Sequence, residues 1–263
     1  MPHDLVRYET HGAVATVTLN RPDVLNALTR PLLTALHDAL HRAEADGCRC
    51  LVLTGEGRGF CAGQDLAEIR ADYDGDGSPD LEALLREFYH PVVRGIRRLG
   101  MPVVAAINGV AAGAGLSLAL ACDFRIAIEN ARLTTAFTRI GLVPDAGMAW
   151  TLPRLVGVAQ ANRLVMRSQP VSADEALAIG LIDEVVAGDQ FGSRVDTFAS
   201  ELAAGPTRAF VLSRKLQDEA ATATLDTLLD LEAGAQLEAG RTADHRNAVS
   251  AFLEKRPPAF EGR

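Results

Sequence analysis

The sequence predicts an α/β core followed by a helical C-terminal portion. Three observations carry that expectation. Apolar runs of strand length, "CRCLVLTG" (48–55), "PVVAAINGV" (102–110) and "CDFRIAIENA" (122–131), alternate with helical segments in the first half of the chain. After Ala146 the segments repeat their apolar residues at helical spacing. The 263 residues, 48% of them hydrophobic, suffice for one large core or a core with a helical appendage.

Each element follows from local chemistry. "LVRYETHGAVATVTLNRP" (5–22) alternates apolar and polar residues on both sides of His11-Gly12, the pattern of a β-hairpin. Residues 29–46 open at Thr29 with Pro31 in the first turn and repeat leucine at 32, 33, 36 and 40, an amphipathic helix. "EGRGFCAGQDL" (56–66) reads as a loop, and "ADYDGDGSPD" (71–80) as a polar loop expected to be mobile. A helix is expected over 81–98, and a second, made of small residues, over "AAGAGLSLALA" (111–121). Further helices are expected near 147–156, 159–167, 173–179, 190–203, 207–220, 225–239 and 242–254. The expected division is a core over 1–200 and a helical region over 201–263.

Composition excludes several classes. With 26 basic against 34 acidic residues, and no basic run, the chain is a poor match for nucleic acid or an anionic membrane. An anionic ligand would need local cations and helix N-termini. There is no secretory apolar segment at the N-terminus and no 18-residue apolar run. Cys48, Cys50, Cys61 and Cys122 do not make a disulfide framework and read as reduced thiols of a cytoplasmic protein. Cys48 and Cys50 lack a second pair for zinc, and "HDALH" (37–41) lacks both the glutamate and the third ligand of a zinc helix. No metal is expected.

Two glycine-rich stretches each follow a strand: "GFCAGQDL" (59–66) and "GVAAGAGLSLALA" (109–121). Their backbone N–H groups could converge on one oxygen and stabilise an enolate; small residues could equally serve close helix–sheet packing. A dinucleotide site fits badly, because Leu118 stands at the third glycine position and no acidic residue follows at the required place. In "RIGLVPDAGMAW" (139–150) a lone carboxylate, Asp145, precedes a helix. Aspartate is a favoured N-cap there. Yet apolar neighbours Ile140, Leu142, Val143, Met148 and Trp150 would raise its pKa and suit it to proton transfer. Both readings stand at this level.

These stretches, with "FTRIGLVPDAGMAWTLPRLVG" (137–157), "SADEALAIGLIDEVV" (172–186) and "AVSAFLEKRPPAF" (248–260), resemble the crotonase (enoyl-CoA hydratase/isomerase) superfamily from the first hairpin to the end. The resemblance implies a crotonase-like (ClpP/crotonase) spiral of ββα units with a C-terminal helical trimerisation region, assembled as a homotrimer or a hexamer of two trimers. It implies an acyl-CoA substrate and no separate cofactor, since coenzyme A is part of the substrate. The oxyanion donors map onto the N–H groups of Ala62 and Ala114. Coenzyme A contacts map onto Val24, Leu25 and Ala27 and onto Gly63, Gln64, Asp65 and Leu66, with Arg21 as a cation for its phosphates; Phe252 and Lys255 match residues that reach the coenzyme A of a neighbouring subunit. Gly113 and Phe137 complete the implied substrate contacts.

The positions of the two hydratase glutamates hold Ser117 and Phe137, so water activation is not expected. Asp145 matches the carboxylate that isomerase members, and an aryl-CoA dehalogenase branch, carry in this turn. "FYHPVVRGIRRL" (88–99) and "TLDTLLDLE" (224–232) further resemble the group that isomerises ring-1,2-epoxyphenylacetyl-CoA. Phe88, Tyr89 and His90 are then expected to wall the acyl pocket. The implied activity is double-bond migration from 3-enoyl-CoA to 2-enoyl-CoA, or epoxide rearrangement, with Asp145 as the single base. A hydratase, a hydrolase using Asp145 as nucleophile, and an RNA-binding member are the alternatives; the acidic charge opposes the last.

Overall fold

A computed structural model describes residues 4–73 and 77–263. The centre of the expected mobile loop, 74–76, lies outside the described residues. The chain opens with the hairpin of β1 (Val6–His11) and β2 (Val14–Leu19), antiparallel, turning at Gly12. Helix α1 (Arg30–Ala45) is capped by the Thr29 hydroxyl, and the Glu68 carboxylate accepts from the Arg30 N–H. Its Leu32, Leu33, Leu36 and Leu40 are all buried, each contributing about 1.5–3 kcal/mol of transfer free energy.

Three turns of a spiral follow, each giving a long strand to one sheet and a short strand to another. The pairs are β3 (Cys50–Gly55) with β4 (Gly59–Cys61), β5 (Val103–Ile107) with β6 (Val110–Ala112), and β7 (Phe124–Ile128) with β8 (Arg132–Thr134). Between the first two pairs run α2 (Leu81–Leu84), a π-helical turn over Leu85–Tyr89, and α3 (His90–Arg98). Between the second and third runs α4 (Ala114–Ala121), every residue of which is buried. Then come α5 (Met148–Arg167), β9 (Val171–Ser172), α6 (Ala173–Ala178) and β10 (Glu184–Val186). The six-stranded sheet has the order β1-β2-β3-β5-β7-β10, parallel after the first hairpin; the four-stranded sheet is β4-β6-β8-β9. The spiral of strand pairs is the architecture the resemblance implied.

Two asparagines lock successive turns. Fully buried Asn26 accepts from the Arg21 N–H and donates to the carbonyls of Glu56 and Gly59. Asn108 accepts from the Gly55 N–H and donates to the carbonyls of Gly55 and Gly57. Removing the Asn26 side chain orphans the buried Gly59 carbonyl at about 1–3 kcal/mol.

The two helices expected over 147–167 are the halves of α5, broken at Gly157 (φ 75°, ψ 159°). The segment 56–66, expected as loop throughout, contains β4; β8, β9 and β10 were likewise too short to show as periodic runs. Helix α7 (Phe191–Ala203) spans position 200 and buries Val195, Ala199 and Ala203 against the outer face of β3, β5 and β7. Beyond it lie α8 (Thr207–Ala220), α9 (Leu225–Gly240) and α10 (Ala243–Leu253).

Candidate functional site

Asp145 lies in the turn between the spiral and α5. Ala146 (φ 47°) and Gly147 (φ 85°) both take left-handed conformations there, and Gly147 is the N-cap residue of α5. The Asp145 carboxylate does not cap. Its Oδ1 is buried without a hydrogen-bond partner among the described residues, while its backbone carbonyl accepts from the Met148 N–H (2.9 Å) and the Ser117 hydroxyl (3.0 Å). Burial pushes the carboxyl up from 3.8 to about 6.

The source of that burial differs from the sequence expectation. Ile140, Val143 and Trp150 are exposed, and of the five apolar neighbours only Met148 is fully buried. The cover comes instead from the helical run 81–98. A Cβ on Gly147 would lie 3.3 Å from Val93 Cγ1, and one turn earlier Tyr89, 2% exposed, places its hydroxyl in the field of Asp145, Cys61 and Glu68. Burial and those charges push the Tyr89 phenol above its ordinary range. His90 is tuned downward by burial and by Arg94 and Arg86 of its own helical run.

Which N–H groups remain free limits what could hold an oxyanion here. The Ala62 N–H donates to the Leu25 carbonyl (2.9 Å), so Ala62 is not available as the donor the sequence suggested. The Gly63 N–H addresses the Cys61 sulfur, and Asp65 N–H donates to Leu28 O. The N–H groups of Gln64 and Leu66 have no acceptor among the described residues, and Gln64 is the one that adjoins Gly63. Ala114, first residue of α4, also has a free N–H and sits at the positive end of the helix dipole. The two approach because Gly63 (φ 94°) lies against the β6–α4 junction: a Cβ there would stand 2.8 Å from Ala112 O and 3.5 Å from Ala114 N. Gly115 does the same service for β4, since a Cβ on it would meet Cys61 O at 2.3 Å. The Gln64 side chain also brings a buried, unpartnered Nε2 to this place.

The implied coenzyme A contacts divide into two groups. The segment carrying Val24, Leu25 and Ala27 runs beside the one carrying Gly63, Gln64, Asp65 and Leu66: Leu28 bridges Gln64 as a parallel pair, with Leu28 N–H donating to Gly63 O. Arg21 donates to the Ala27 carbonyl and pairs with Asp65 (2.9 Å), bracing this double loop. Val24 and Leu66 are exposed along it. Gly113 (φ 51°) ends β6 ahead of Ala114, and Phe137 is buried. Phe252 and Lys255 lie at the end of α10 and just after it; Phe252 is 82% exposed, and α10 packs on α9, so one chain does not bring them to the site. Ser117, fully buried, and Phe137 offer no carboxylate.

A cavity of about 730 Å³ lies elsewhere, between α8 and the core, and its cations are already engaged. Arg214 bonds Asp123 (2.8 Å) and the carbonyls of Leu99 and Met101; Arg97 pairs with Asp218, and Arg125 with Asp183 (2.8 Å). His37 and His41 face one another on α1 (Nε2···Nε2 3.2 Å), far in sequence from any third ligand.

Unspent N–H donors beside a buried carboxylate suit the removal of a proton next to a carbonyl. Comparison with known proteins gives the same direction: a family profile described as enoyl-CoA hydratase/isomerase matches residues 9–263. The chain belongs to that family. It is 46% identical to a "Probable enoyl-CoA hydratase" of Rhodobacter capsulatus, over the full length of both chains. It is 45% identical to the 1,2-epoxyphenylacetyl-CoA isomerase of Escherichia coli, covering 95% of each. Its backbone matches the crystal structure of an enoyl-CoA hydratase from Polaromonas sp. JS666 with a TM-score of 0.90 at 33% identity, over 97% of this chain and 99% of that one. Membership in the family makes this chain a coenzyme A thioester enzyme. Among the described residues no helix is long and apolar enough to cross a membrane.

Proposed function

We propose that the chain is an acyl-CoA isomerase with Asp145 as its only proton carrier. The observation that carries this is the buried Asp145 carboxylate, unpaired and not a cap, with no second carboxylate at Ser117 or Phe137. The thioester oxygen is held by the N–H groups of Gln64 and Ala114. As Asp145 removes the proton from C2, the electron pair passes to that oxygen. The enolate then collapses, and Asp145 delivers the proton to C4, so the double bond moves from C3 to C2. One base suffices because the proton leaves and returns on the same face. Each donor to the oxyanion is worth about 10²–10³ in rate. On a ring epoxide the same carboxylate would assist opening and ring expansion.

The thioester and its two donors supply the acidity, so this reaction calls for no additional cofactor. The same reading places coenzyme A along the double loop of residues 24–28 and 62–66, and places the protein in the cytoplasm. Assembly as a trimer or hexamer would let Phe252 and Lys255 serve a neighbouring subunit's site. Similarity to the Escherichia coli isomerase supports this reading, and the hydratase-named relative supplies its rival.

The test uses 3-hexenoyl-CoA and crotonyl-CoA with the wild type and Asp145→Asn. Isomerisation of the first should fall by about 10²–10⁴-fold in the variant, the usual worth of a general base. Crotonyl-CoA should stay unhydrated. Full activity in Asp145→Asn would remove the base, rapid hydration would make the chain a hydratase, and a trapped aspartyl ester would make it a hydrolase.

A further inference from the structure

We infer that Ser117 is a positioning residue that fixes the base relative to the oxyanion donors, an inference resting on the isomerase reading of Asp145. Ser117 is fully buried on α4, so it does not meet solvent or substrate. Its hydroxyl has one proton and two carbonyls in reach: Gly113 O of its own helix at 3.3 Å and Asp145 O at 3.0 Å. The bond to the carbonyl four residues back is the habitual one for a helical serine. Here the shorter contact leaves the helix and ends on the peptide group that carries the base.

What that bond joins gives it consequence. Ala114, whose N–H faces the thioester oxygen, lies three residues before Ser117 on the same helix, so one rigid turn separates donor from hydroxyl. On the other side, the Asp145 peptide begins a turn in which Ala146 holds a left-handed conformation that a Cβ-bearing residue adopts at a cost. Within this turn the Asp145 carbonyl has only the Met148 N–H as its other partner. One hydroxyl and one helical turn therefore set the distance between oxyanion donor and base. Loss of the bond lets the turn relax while the carboxylate, the pocket and the coenzyme A loops keep their composition.

The test is α-proton exchange of hexanoyl-CoA in D₂O, which needs only the base and the oxyanion donors, measured beside 3-hexenoyl-CoA isomerisation. Ser117→Ala should lower kcat in both by roughly 10–100-fold, the cost of about an ångström of misplacement, with KM unchanged. Ser117→Thr, which keeps the hydroxyl, should recover most of the loss; Ser117→Cys, a weak donor of similar size, should not. The Cys and Thr pair decides the matter if the Ala variant fails to fold. Equal kcat in wild type and Ser117→Ala overturns the inference, as does a folded Thr variant as slow as Ala or a change confined to KM. Exchange lost in Asp145→Asn but kept in Ser117→Ala removes this inference alone. Exchange kept in Asp145→Asn removes the base and both readings with it.

Discussion

Asp145 sits where an ionised carboxylate costs the fold something and where the proposed reaction needs a base. Its folded-state pKa is raised from 3.8 to about 6 by burial, so the folded protein holds that proton more tightly than the unfolded chain. Between those two values the folded state binds more protons, and stability falls as pH rises through about 6. Two outcomes follow with opposite signs. The kcat/KM for isomerisation should climb with pH and level off above an apparent pKa near 6, because the base works ionised. Asp145→Asn should raise stability in urea at pH 7.5 by roughly 2 kcal/mol, a gain that vanishes below about pH 4, where both side chains are neutral. An unchanged urea midpoint at pH 7.5 would mean that the carboxylate is solvated. The sequence marked Asp145 and both of its readings, but not the choice between them: cap or base depends on Ala146 and Gly147 turning left-handed, and no residue type dictates that. The Ala62 N–H, to which the resemblance pointed, is engaged by Leu25 O for a similar reason. Which N–H of an extended stretch stays free depends on which side docks against Leu25 and Leu28.

The loop of residues 62–66, the start of α4 and the π-helical turn before α3 act as elements that must approach closely. Gly63 is where this tolerance is smallest, since its φ of 94° suits glycine and a Cβ would crowd Ala112 O. Gly63→Ala should therefore push the Gln64 N–H off its line toward Ala114. Expected is a fall in kcat of about 10²–10³-fold, the worth of one oxyanion donor, in a protein whose circular dichroism matches wild type. Retention of kcat would show that the Gln64 N–H does not hold the oxyanion. Long amphipathic elements were legible: the leucine spacing of α1 and the buried runs of β3, β5 and β7 all emerged where expected. The three-residue strands β4, β6 and β8 were not separable from turns, because three residues hold too little periodicity. The π turn over Leu85–Tyr89, which carries Tyr89 into the field of Asp145, likewise leaves no mark in composition.

At the scale of the whole molecule, the C-terminal helices hold to the spiral by polar contacts more than apolar ones. Buried Arg214 anchors α8 through Asp123 and two carbonyls, and Arg49 reaches the carbonyls of Gly205 and Phe260. Asp244 on α10 accepts from the N–H groups of Glu261 and Gly262, folding the chain end back. Helix α9, by contrast, buries none of its residues within the chain. Its Leu225, Leu229 and Leu237 are exposed and recur at multiples of four positions, forming one ridge along the helix. A ridge of that kind is suited to packing in the grooves of another copy, consistent with the proposed trimer. Light scattering should return three or six chain masses for wild type. Replacing Leu229 and Leu237 together by Glu should return one chain mass, because each association would bury uncompensated carboxylates. If Phe252 and Lys255 reach a neighbour's coenzyme A, that dissociated variant should also show a raised KM for 3-hexenoyl-CoA while kcat at saturation stays close to wild type. A monomeric variant with an unchanged KM would leave α9 as an assembly surface and take Phe252 and Lys255 out of the substrate site.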